Sequence, residues 1–183
     1  MVFYPQEDSL KLITTAEDFV IRVWDLVLKK EIASMKPKGG DNMAHMTTSL
    51  IFTNDRKTLI TGGRDSCIHF WDTHDRFKLI SSVNIDKLGA EKFEEINSMV
   101  YVSSPSNFTA EDPCLVIGGS SGMVSVYSIK RQAIVFSANE SRNLGNNWTG
   151  KSNQEDAEED KNTEIAQLLY LKKSNQVLAI NAD

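Results

Sequence analysis

The sequence predicts an all-β fold made of repeated units of short strands. Three segments align on one template: TTAEDFVIRVWD (14–25), TGGRDSCIHFWD (61–72) and GGSSGMVSVYS (118–128). The second half of each segment alternates between two sets of residues, as a strand with two faces does. The spacing from Trp24 to Trp71 is 47 residues and that from Trp71 to Tyr127 is 56, which indicates a repeat architecture.

Each unit is predicted to contain four strands in the same order. Runs rich in β-branched residues end at turns in 11–15, 58–62 and 114–119, and the alternating runs follow them. Outer strands are expected at about 28–35, 77–85 and 132–138, and inner strands at 47–53, 97–103 and 165–171. The segment LGAEKFEEI (88–96) is compatible with a turn of helix or with a loop between units.

The spacing of Thr, Asp and Trp-Asp in the first two units resembles the WD40 repeat. The matching residues are Thr14, Asp18, Trp24, Thr61, Asp65 and Trp71. The resemblance implies a β-propeller in which the Asp of the turn, the Thr hydroxyl and the indole N–H form a buried structural network. A buried indole N–H needs an acceptor, which makes such a network chemically reasonable. The third unit has Ser121 in place of the Asp and Tyr127 in place of the Trp, so its network is expected to be incomplete.

The expected organisation is a partial propeller of about three and a half blades over 1–138 and 165–183. A partial blade occupies 1–35, two blades occupy 47–85 and 97–138, and a further blade begins at 165. A closed propeller has about 4–8 blades, so we expect a fragment of a longer protein. The apolar faces left uncovered at its two ends are expected to cause self-association, poor solubility or dependence on the missing blades. The residues expected to be partly wet are Ile13, Ile21 and Val23 at one end, and Leu169, Leu171 and Leu178 at the other.

An acidic insertion at 139–164 interrupts the repeats. Residues 152–164 (SNQEDAEEDKNTE) hold six acids and one Lys, a composition that favours disorder. The alternative is a contact for a basic partner. Trp148 would either anchor the segment or meet a partner. Outside this run the acidic and basic residues balance, so the chain lacks the basic footprint of a nucleic-acid-binding surface.

No pattern in the chain indicates an enzyme, a metal site or a cofactor. His69 and His74 lack the further ligands that structural zinc needs, and GGSSG (118–122) lacks the Gly-Lys-Ser/Thr ending of a phosphate-binding loop. Cys67 and Cys114 are expected to be small apolar residues of the core. No apolar run is long enough to cross a bilayer, so no membrane contact is expected. Without a catalytic or cofactor motif, no small-molecule substrate is expected either.

A finer resemblance concerns the stretch TTSLIFTNDRKTLITGGRDSCIHFWDT (47–73). It is similar to a repeat of the transducin-beta-like WD proteins of the small-subunit processome, which belong to the UTP-B subcomplex. The resemblance implies a non-catalytic scaffold in the nucleolus that supports small-subunit ribosomal RNA processing. It implies partners among the protein subunits of a large complex, with pre-ribosomal RNA or small nucleolar RNA contacted indirectly.

The alternative hypothesis is a WD-repeat substrate receptor or adaptor in another complex, such as a ubiquitin ligase. Such receptors often carry Arg clusters on one face, whereas here only Arg64 stands out. Under either hypothesis the candidate partner contacts are Glu17, Arg64, Ser120 and Trp148.

Overall fold

The computed structural model describes residues 1–6, 9–37, 46–88, 95–103, 112–139, 164–171, 173–174 and 176–182. Within these ranges the chain forms fourteen strands in four antiparallel sheets, which confirms the predicted all-β fold. The predictions for Trp148 and for the acidic residues 152–163 lie outside the described residues.

The sheets follow one another along the chain, and the strands of each sheet are in sequence order. The first sheet contains β1 (Val2–Gln6), β2 (Ser9–Thr15), β3 (Ile21–Asp25) and β4 (Lys30–Met35). The second contains β5 (Thr47–Phe52), β6 (Thr58–Gly63), β7 (Cys67–Asp72) and β8 (Lys78–Asn84). The third contains β9 (Ile96–Val102), β10 (Cys114–Gly119), β11 (Met123–Ser128) and β12 (Ala133–Asn139), and the fourth contains β13 (Ile165–Leu171) and β14 (Gln176–Asn181).

The three complete sheets share one register. The central strands pair Leu12 with Trp24, Leu59 with Trp71 and Leu115 with Tyr127. In all three sheets the register to the outer strand shifts immediately before that aromatic residue. A β-bulge bends and twists the strand that carries it. Its recurrence at one position shows that the three sheets share this structural feature.

Neighbouring sheets pack face to face, and each sheet has two unlike sides. We call the side that carries Trp24, Trp71 or Tyr127 the indole side, and the opposite one the aliphatic side. The indole side of the second sheet packs on the aliphatic side of the first, and the third packs on the second in the same way. Val177 and Ala179 of the fourth sheet pack on Val116 and its neighbours in the third. Three apolar layers of one kind therefore form the core.

The direction of stacking corrects one expectation at the first end. Ile13, Ile21 and Val23 are fully buried, because they lie on the aliphatic side that the second sheet covers. The open side of the first sheet is instead the indole side, where Trp24 is half-buried. The alternation of the strand is visible in the sequence, but which of its two sides meets a neighbour is not.

Glycines let the next inner strand approach the second and third sheets closely. A Cβ at Gly118 would lie 2.5 Å from the Ile165 side chain, and one at Gly62 would lie 2.8 Å from the Ile96 side chain. These glycines occupy equivalent positions, so the absence of a Cβ sets the same approach at two successive junctions.

Polar side chains of the inner strands also join neighbouring sheets. Ser49 Oγ accepts the Met99 N–H, and Ser98 Oγ accepts the Leu168 N–H, each at 3.0 Å. One residue earlier along each strand, Thr48 and Asn97 donate to carbonyl oxygens of the following sheet. These bonds satisfy strand-edge groups that would otherwise be buried without partners.

The connection after β8 begins with a short 3-10 helix at Ile85–Lys87, capped by Asn84. This helix lies just before the segment 88–96, in which either a helical turn or a loop was expected; residues 89–94 lie outside the described ranges. Among the described residues, no helix has the length and apolar character needed to cross a lipid bilayer.

Candidate functional site

The Thr and Trp of the first two units are joined directly. The Trp71 indole N–H donates to Thr61 Oγ1 at 3.0 Å, and the Trp24 indole N–H donates to Thr14 Oγ1 at 2.9 Å. Trp71 is 3% exposed and Thr61 is fully buried, because the first sheet covers them. The bond therefore satisfies a buried donor in the second sheet and a half-buried one in the first.

The Asp of each unit shapes the turn between the second and third strands. Asp65 Oδ1 accepts the Cys67 N–H at 3.0 Å, and Asp18 Oδ1 accepts the Val20 N–H at 3.2 Å. The residue after each Asp has a left-handed backbone, with φ of 58° at Ser66 and 63° at Phe19. A side chain that bonds to the backbone two residues on offsets the cost of that conformation.

The third unit reaches the same turn by another route. Gly122 occupies the left-handed position there, with φ of 71°. Glycine adopts this conformation without a steric penalty, so the turn does not depend on an Asp at the position of Ser121. Gly122 thus compensates for the loss of the turn-capping Asp at position 121.

Asp18 corrects the predicted buried network of the first unit. Its side chain is 48% exposed and is paired with the Arg22 guanidinium, whose Nη1 lies 3.1 Å from Asp18 Oδ1. The hydrogen bond from Arg22 holds the pKa of the Asp18 carboxyl below its ordinary value. In this unit the Asp therefore belongs to a surface ion pair rather than to a buried network around Trp24. The first sheet presents that side to solvent, whereas the corresponding side of the second sheet is covered by the first.

A second kind of turn cap lies in the turn between the third and fourth strands. This turn is at the opposite end of the strands from the turns of Asp18 and Asp65. Asp25 Oδ1 accepts the N–H groups of Val27 and Leu28 at 2.9 and 2.8 Å. Asp72 Oδ1 likewise accepts the N–H groups of the second and third residues after it, at 2.8 and 3.2 Å. These carboxylates belong to the Asp of each Trp-Asp pair. In each dipeptide the Trp bonds to a Thr of the neighbouring strand, and the Asp caps the turn that follows.

In the third unit the cap is divided between two residues. Ser128 replaces the Asp, and its Oγ accepts the Arg131 N–H at 3.0 Å. The Ser128 hydroxyl also bonds to the Asp112 carboxylate, at 2.8 and 2.9 Å from its two oxygens. Asp112 is 2% exposed and lies 3.2 Å from Arg131 Nε. Asp112, which precedes β10, therefore supplies the carboxylate that the first two units carry at the position of Ser128.

Three of the candidate contact residues lie at equivalent positions along one edge of the stack, which we call the turn edge. Glu17, Arg64 and Ser120 lie in the turns between the second and third strands of the three complete sheets. The Arg64 N–H donates to the Met46 carbonyl, and the Ser120 N–H donates to the Glu95 carbonyl. The second and third of these turns are thus fixed to the residue that precedes an inner strand.

The side chains at the turn edge differ in charge. Glu17 is exposed, Ser120 is half-buried, and the Arg64 side chain is 39% exposed with Nε 3.6 Å from Glu95 Oε2. A partly exposed ion pair of this length adds little to stability, so Arg64 can exchange Glu95 for another acidic group at small energetic cost. The fourth candidate, Trp148, lies outside the described residues.

Neither cysteine has the character of a nucleophile. Burial raises the pKa of Cys67 to about 11, and the nearby Asp65 acts in the same direction. Burial also raises the pKa of Cys114. Within the described ranges, no three His, Cys, Asp or Glu side chains gather as metal ligands would.

Sequence reasoning did not identify Asp112, Ser49 or Ser98. Nothing in the local pattern distinguishes them from surface polar residues, because their partners lie between 16 and 70 residues away. The one available clue was Ser128, since a missing carboxylate at the end of a Trp-Asp position implies that another group must cap the turn.

The family comparison agrees with this geometry. Residues 42–72 match the family described as "WD domain, G-beta repeat". The matched segment includes β5, β6 and β7 with Thr61, Asp65 and Trp71. Residues 42–72 thus match a WD40 repeat, and the stacked antiparallel sheets are consistent with a partial WD40-type propeller.

Several similar curated proteins share one description, "Serine-threonine kinase receptor-associated protein". The protein from Gallus gallus is 35% identical over 66 residues, and those from Homo sapiens and Bos taurus are 33% identical over 66 residues. The aligned part is 36% of this chain, and the chain spans only 17% of the length of these relatives. Their description differs from that of the processome subfamily that residues 47–73 resemble.

Proposed function

We propose that this chain is a non-catalytic WD-repeat scaffold that binds other proteins through its turn edge. The observation that carries the proposal is the equivalent placement of Glu17, Arg64 and Ser120 in three turns, two of which are anchored to an inner strand by backbone bonds. A rigid scaffold that displays variable side chains on loops is the common arrangement of a binding surface.

The chemistry of the turn edge favours a polar and selective contact. It carries an exposed acid at Glu17, a basic group at Arg64 and a hydroxyl at Ser120 within the described part of the chain. Mixed charges at an interface contribute specificity and association rate more than raw affinity. The raised pKa values of both thiols and the structural use of the repeat carboxylates support a role other than catalysis.

The complex that we propose is a nucleolar, UTP-B-like pre-ribosomal assembly that supports small-subunit ribosomal RNA processing. The resemblance of residues 47–73 to the processome WD proteins supports this choice. RNA would be contacted indirectly, since the chain outside 152–164 carries no excess of basic residues.

A second candidate is an adaptor for a serine-threonine kinase receptor. It is favoured by the description of the relatives that match 66 residues of the chain. Both candidates use a WD-repeat surface to bind a protein, so they differ in partner rather than in mechanism.

Affinity purification from cells tests the proposal with three forms of the chain: wild type, Arg64→Glu and Arg56→Glu. Arg56 is an exposed residue in the turn between β5 and β6, at the opposite edge, which makes it the matched control. We expect the wild type and Arg56→Glu to recover UTP-B proteins and pre-ribosomal RNA, and Arg64→Glu to lose them.

Other results identify other functions. Recovery of a serine-threonine kinase receptor that depends on Arg64 would favour the second candidate, and recovery of cullin adaptors would favour a ubiquitin ligase receptor. Equal recovery of partners by all three forms would show that the turn edge is not the binding surface.

A further inference from the structure

A groove of about 320 Å³ opens between the second and third sheets. Phe70 and Ile80 contribute to the wall formed by the second sheet, and Tyr127, Ile129 and Gln132 form the wall of the third. Both walls belong to complete four-stranded sheets. The volume is near the lower end of the range of about 300–1,000 Å³ that is typical of ligand sites. We call this feature the Tyr127 groove.

The junction of the first and second sheets shows what the Tyr127 groove lacks. Phe77 and Gln132 are equivalent, because each immediately precedes the outer strand of its sheet and has a left-handed backbone, with φ of 58° and 53°. Phe77 is 5% exposed and packs edge-on against the Tyr4 ring, with 6.4 Å between the ring centroids. Gln132 is exposed instead. An aromatic ring from this position therefore fills the first junction but not the second.

Tyr127 supplies a buried hydroxyl to the groove. In the second sheet the Trp71 indole donates to Thr61, but the register places Ile117 at the equivalent position of the third sheet. Tyr127 is 1% exposed, and no hydrogen bond joins its side chain to the described residues. Burial raises the pKa of this hydroxyl, so it remains a donor at neutral pH. A buried polar group without a partner is costly, which favours a ligand that offers an acceptor.

The groove follows the outer edge of β8. It contacts four successive residues, Ile80 to Val83, and successive side chains of a strand point to opposite sides. Since β8 is the last strand of its sheet, its outer edge pairs with no other described strand. Unpaired edge groups are a template for an extended peptide, so the shape of the groove favours a polypeptide segment as its occupant.

Basic residues surround the opening. Lys130 and Arg131 lie between Ile129 and Gln132 in the chain, and both are exposed. On the opposite wall, Lys57 is exposed directly before β6, whose first residue lines the groove. Charge complementarity therefore favours a segment with acidic residues beside the group that enters the groove.

We propose that the Tyr127 groove binds an extended segment of a partner protein that presents an aromatic side chain flanked by acidic residues. The ring takes the place that Phe77 takes at the first junction, and the Tyr127 hydroxyl donates to a carbonyl oxygen of the segment. The flanking acids lie near Lys130 and Arg131. The groove is at the opposite end of the strands from the turn edge, so it is a second binding site in addition to the proposed function.

Methyl NMR of the intact protein with isotope-labelled isoleucine reports on the groove directly. Ile80 and Ile129 line it, whereas Ile13 and Ile21 lie buried at the first junction and serve as internal references. The main probe is a capped peptide, Gly-Asp-Phe-Asp-Gly. Two matched peptides have Ala in place of Phe or Lys in place of both Asp residues, and toluene represents a small apolar molecule. The titration uses no partner of the turn edge, so it is independent of the proposed function.

We expect the Phe peptide to shift the Ile80 and Ile129 signals to saturation and to leave those of Ile13 and Ile21 unchanged. The Ala peptide should produce no saturable shift, and the Lys-flanked peptide should bind more weakly than the Asp-flanked one.

Three variants test the residues of the groove. Gln132→Phe should abolish binding, because it supplies the missing ring from the chain itself. Lys29→Phe is the matched control, since Lys29 has the same backbone conformation before β4 but belongs to the first sheet; it should bind as the wild type does. Tyr127→Phe should raise the dissociation constant about threefold to tenfold through loss of one hydrogen bond. Circular dichroism and the Ile13 signal verify that each variant is folded.

Several results would overturn the proposal. They are the absence of saturable shifts with the Phe peptide, equal binding by the Ala peptide, or undiminished binding by a folded Gln132→Phe. Toluene shifting Ile80 and Ile129 while the Phe peptide does not would identify a small apolar molecule as the occupant instead of a protein segment. Equal affinity of the Lys-flanked peptide would overturn the role of the basic residues, and unchanged binding by Tyr127→Phe would overturn that of the hydroxyl.

Discussion

The divided turn cap of the third sheet yields a prediction about compensating substitutions. Asp112 and Ser128 together do what Asp25 and Asp72 do alone, so exchanging their roles should preserve the turn. We expect Asp112→Ala and Ser128→Asp each to destabilise the protein, and the double variant to recover most of the loss. The carboxylate that the double variant carries at position 128 would accept the Arg131 N–H directly, as Asp25 and Asp72 accept the N–H of the third residue after each of them.

The magnitudes follow from burial. Removing the Asp112 carboxylate leaves the buried Ser128 hydroxyl without its charged partner, and a hydrogen bond to a charged group contributes about 1.5–3 kcal/mol. Ser128→Asp alone would place two carboxylates at hydrogen-bonding distance in a site that is at most 2% exposed. An uncompensated buried charge costs about 3–5 kcal/mol, so this variant should be the least stable of the set. The double variant should lie within about 1 kcal/mol of the wild type, which gives a strong coupling between the two positions.

Equilibrium unfolding in urea, followed by circular dichroism, measures all four forms. The control is Asp75→Ala, since the Asp75 side chain is 64% exposed and its loss should change the free energy of unfolding by less than about 0.5 kcal/mol. If Ser128→Asp is as stable as the wild type, or if the two single costs simply add in the double variant, the divided cap is wrong.

Four further outcomes follow from the same structure. Trp71→Ala should cost about 3–5 kcal/mol in chemical unfolding, while Trp24→Ala should cost clearly less, because only the Trp71 indole is buried; equal costs would contradict the difference in burial. Gly118→Ala should lower the melting temperature through a clash costing about 1–3 kcal/mol, and an unchanged value would mean that the fourth sheet gives way. The lowered pKa of Asp18 contributes stability above the ordinary aspartate pKa that is lost as the pH falls, so Asp18→Asn should show a smaller drop in melting temperature between neutral and acidic pH than the wild type. Deleting 152–163 should leave the unfolding transition intact, since loop length changes closure entropy slowly, whereas loss of the cooperative transition would assign that segment a structural role.

The deletion stops before Glu164 for a structural reason. Glu164 accepts a hydrogen bond from the Asn97 side chain at 2.7 Å, and its carbonyl accepts the Ala182 N–H. At the other end of the insertion, Asn139 is the last residue of β12 and pairs with Met123. The sequence analysis places both residues within the insertion at 139–164, but their contacts belong to the sheets.

The all-β architecture and the repeated register could be predicted from the amino-acid pattern alone. Alternation with a period of two is imposed by the strand backbone, so it can be recognised wherever one side of a strand is apolar. The pairing of Trp71 with Thr61 was likewise predictable, because both residues recur at one spacing and a buried indole N–H needs an acceptor. These features depend on residues close in the chain or on a pattern that repeats.

The stacking of the sheets, by contrast, sets which side of each strand is covered and which residues complete the turns. Ile13 and Trp24 lie on opposite sides of the same sheet, and the stacking direction alone buries the first and leaves the second half-exposed. Asp112 reaches Ser128 because β10 and β11 are paired, not because the two residues share a local motif. The physical reason is that burial and hydrogen-bond satisfaction are properties of neighbours in space, whereas a single sequence displays neighbours along the chain.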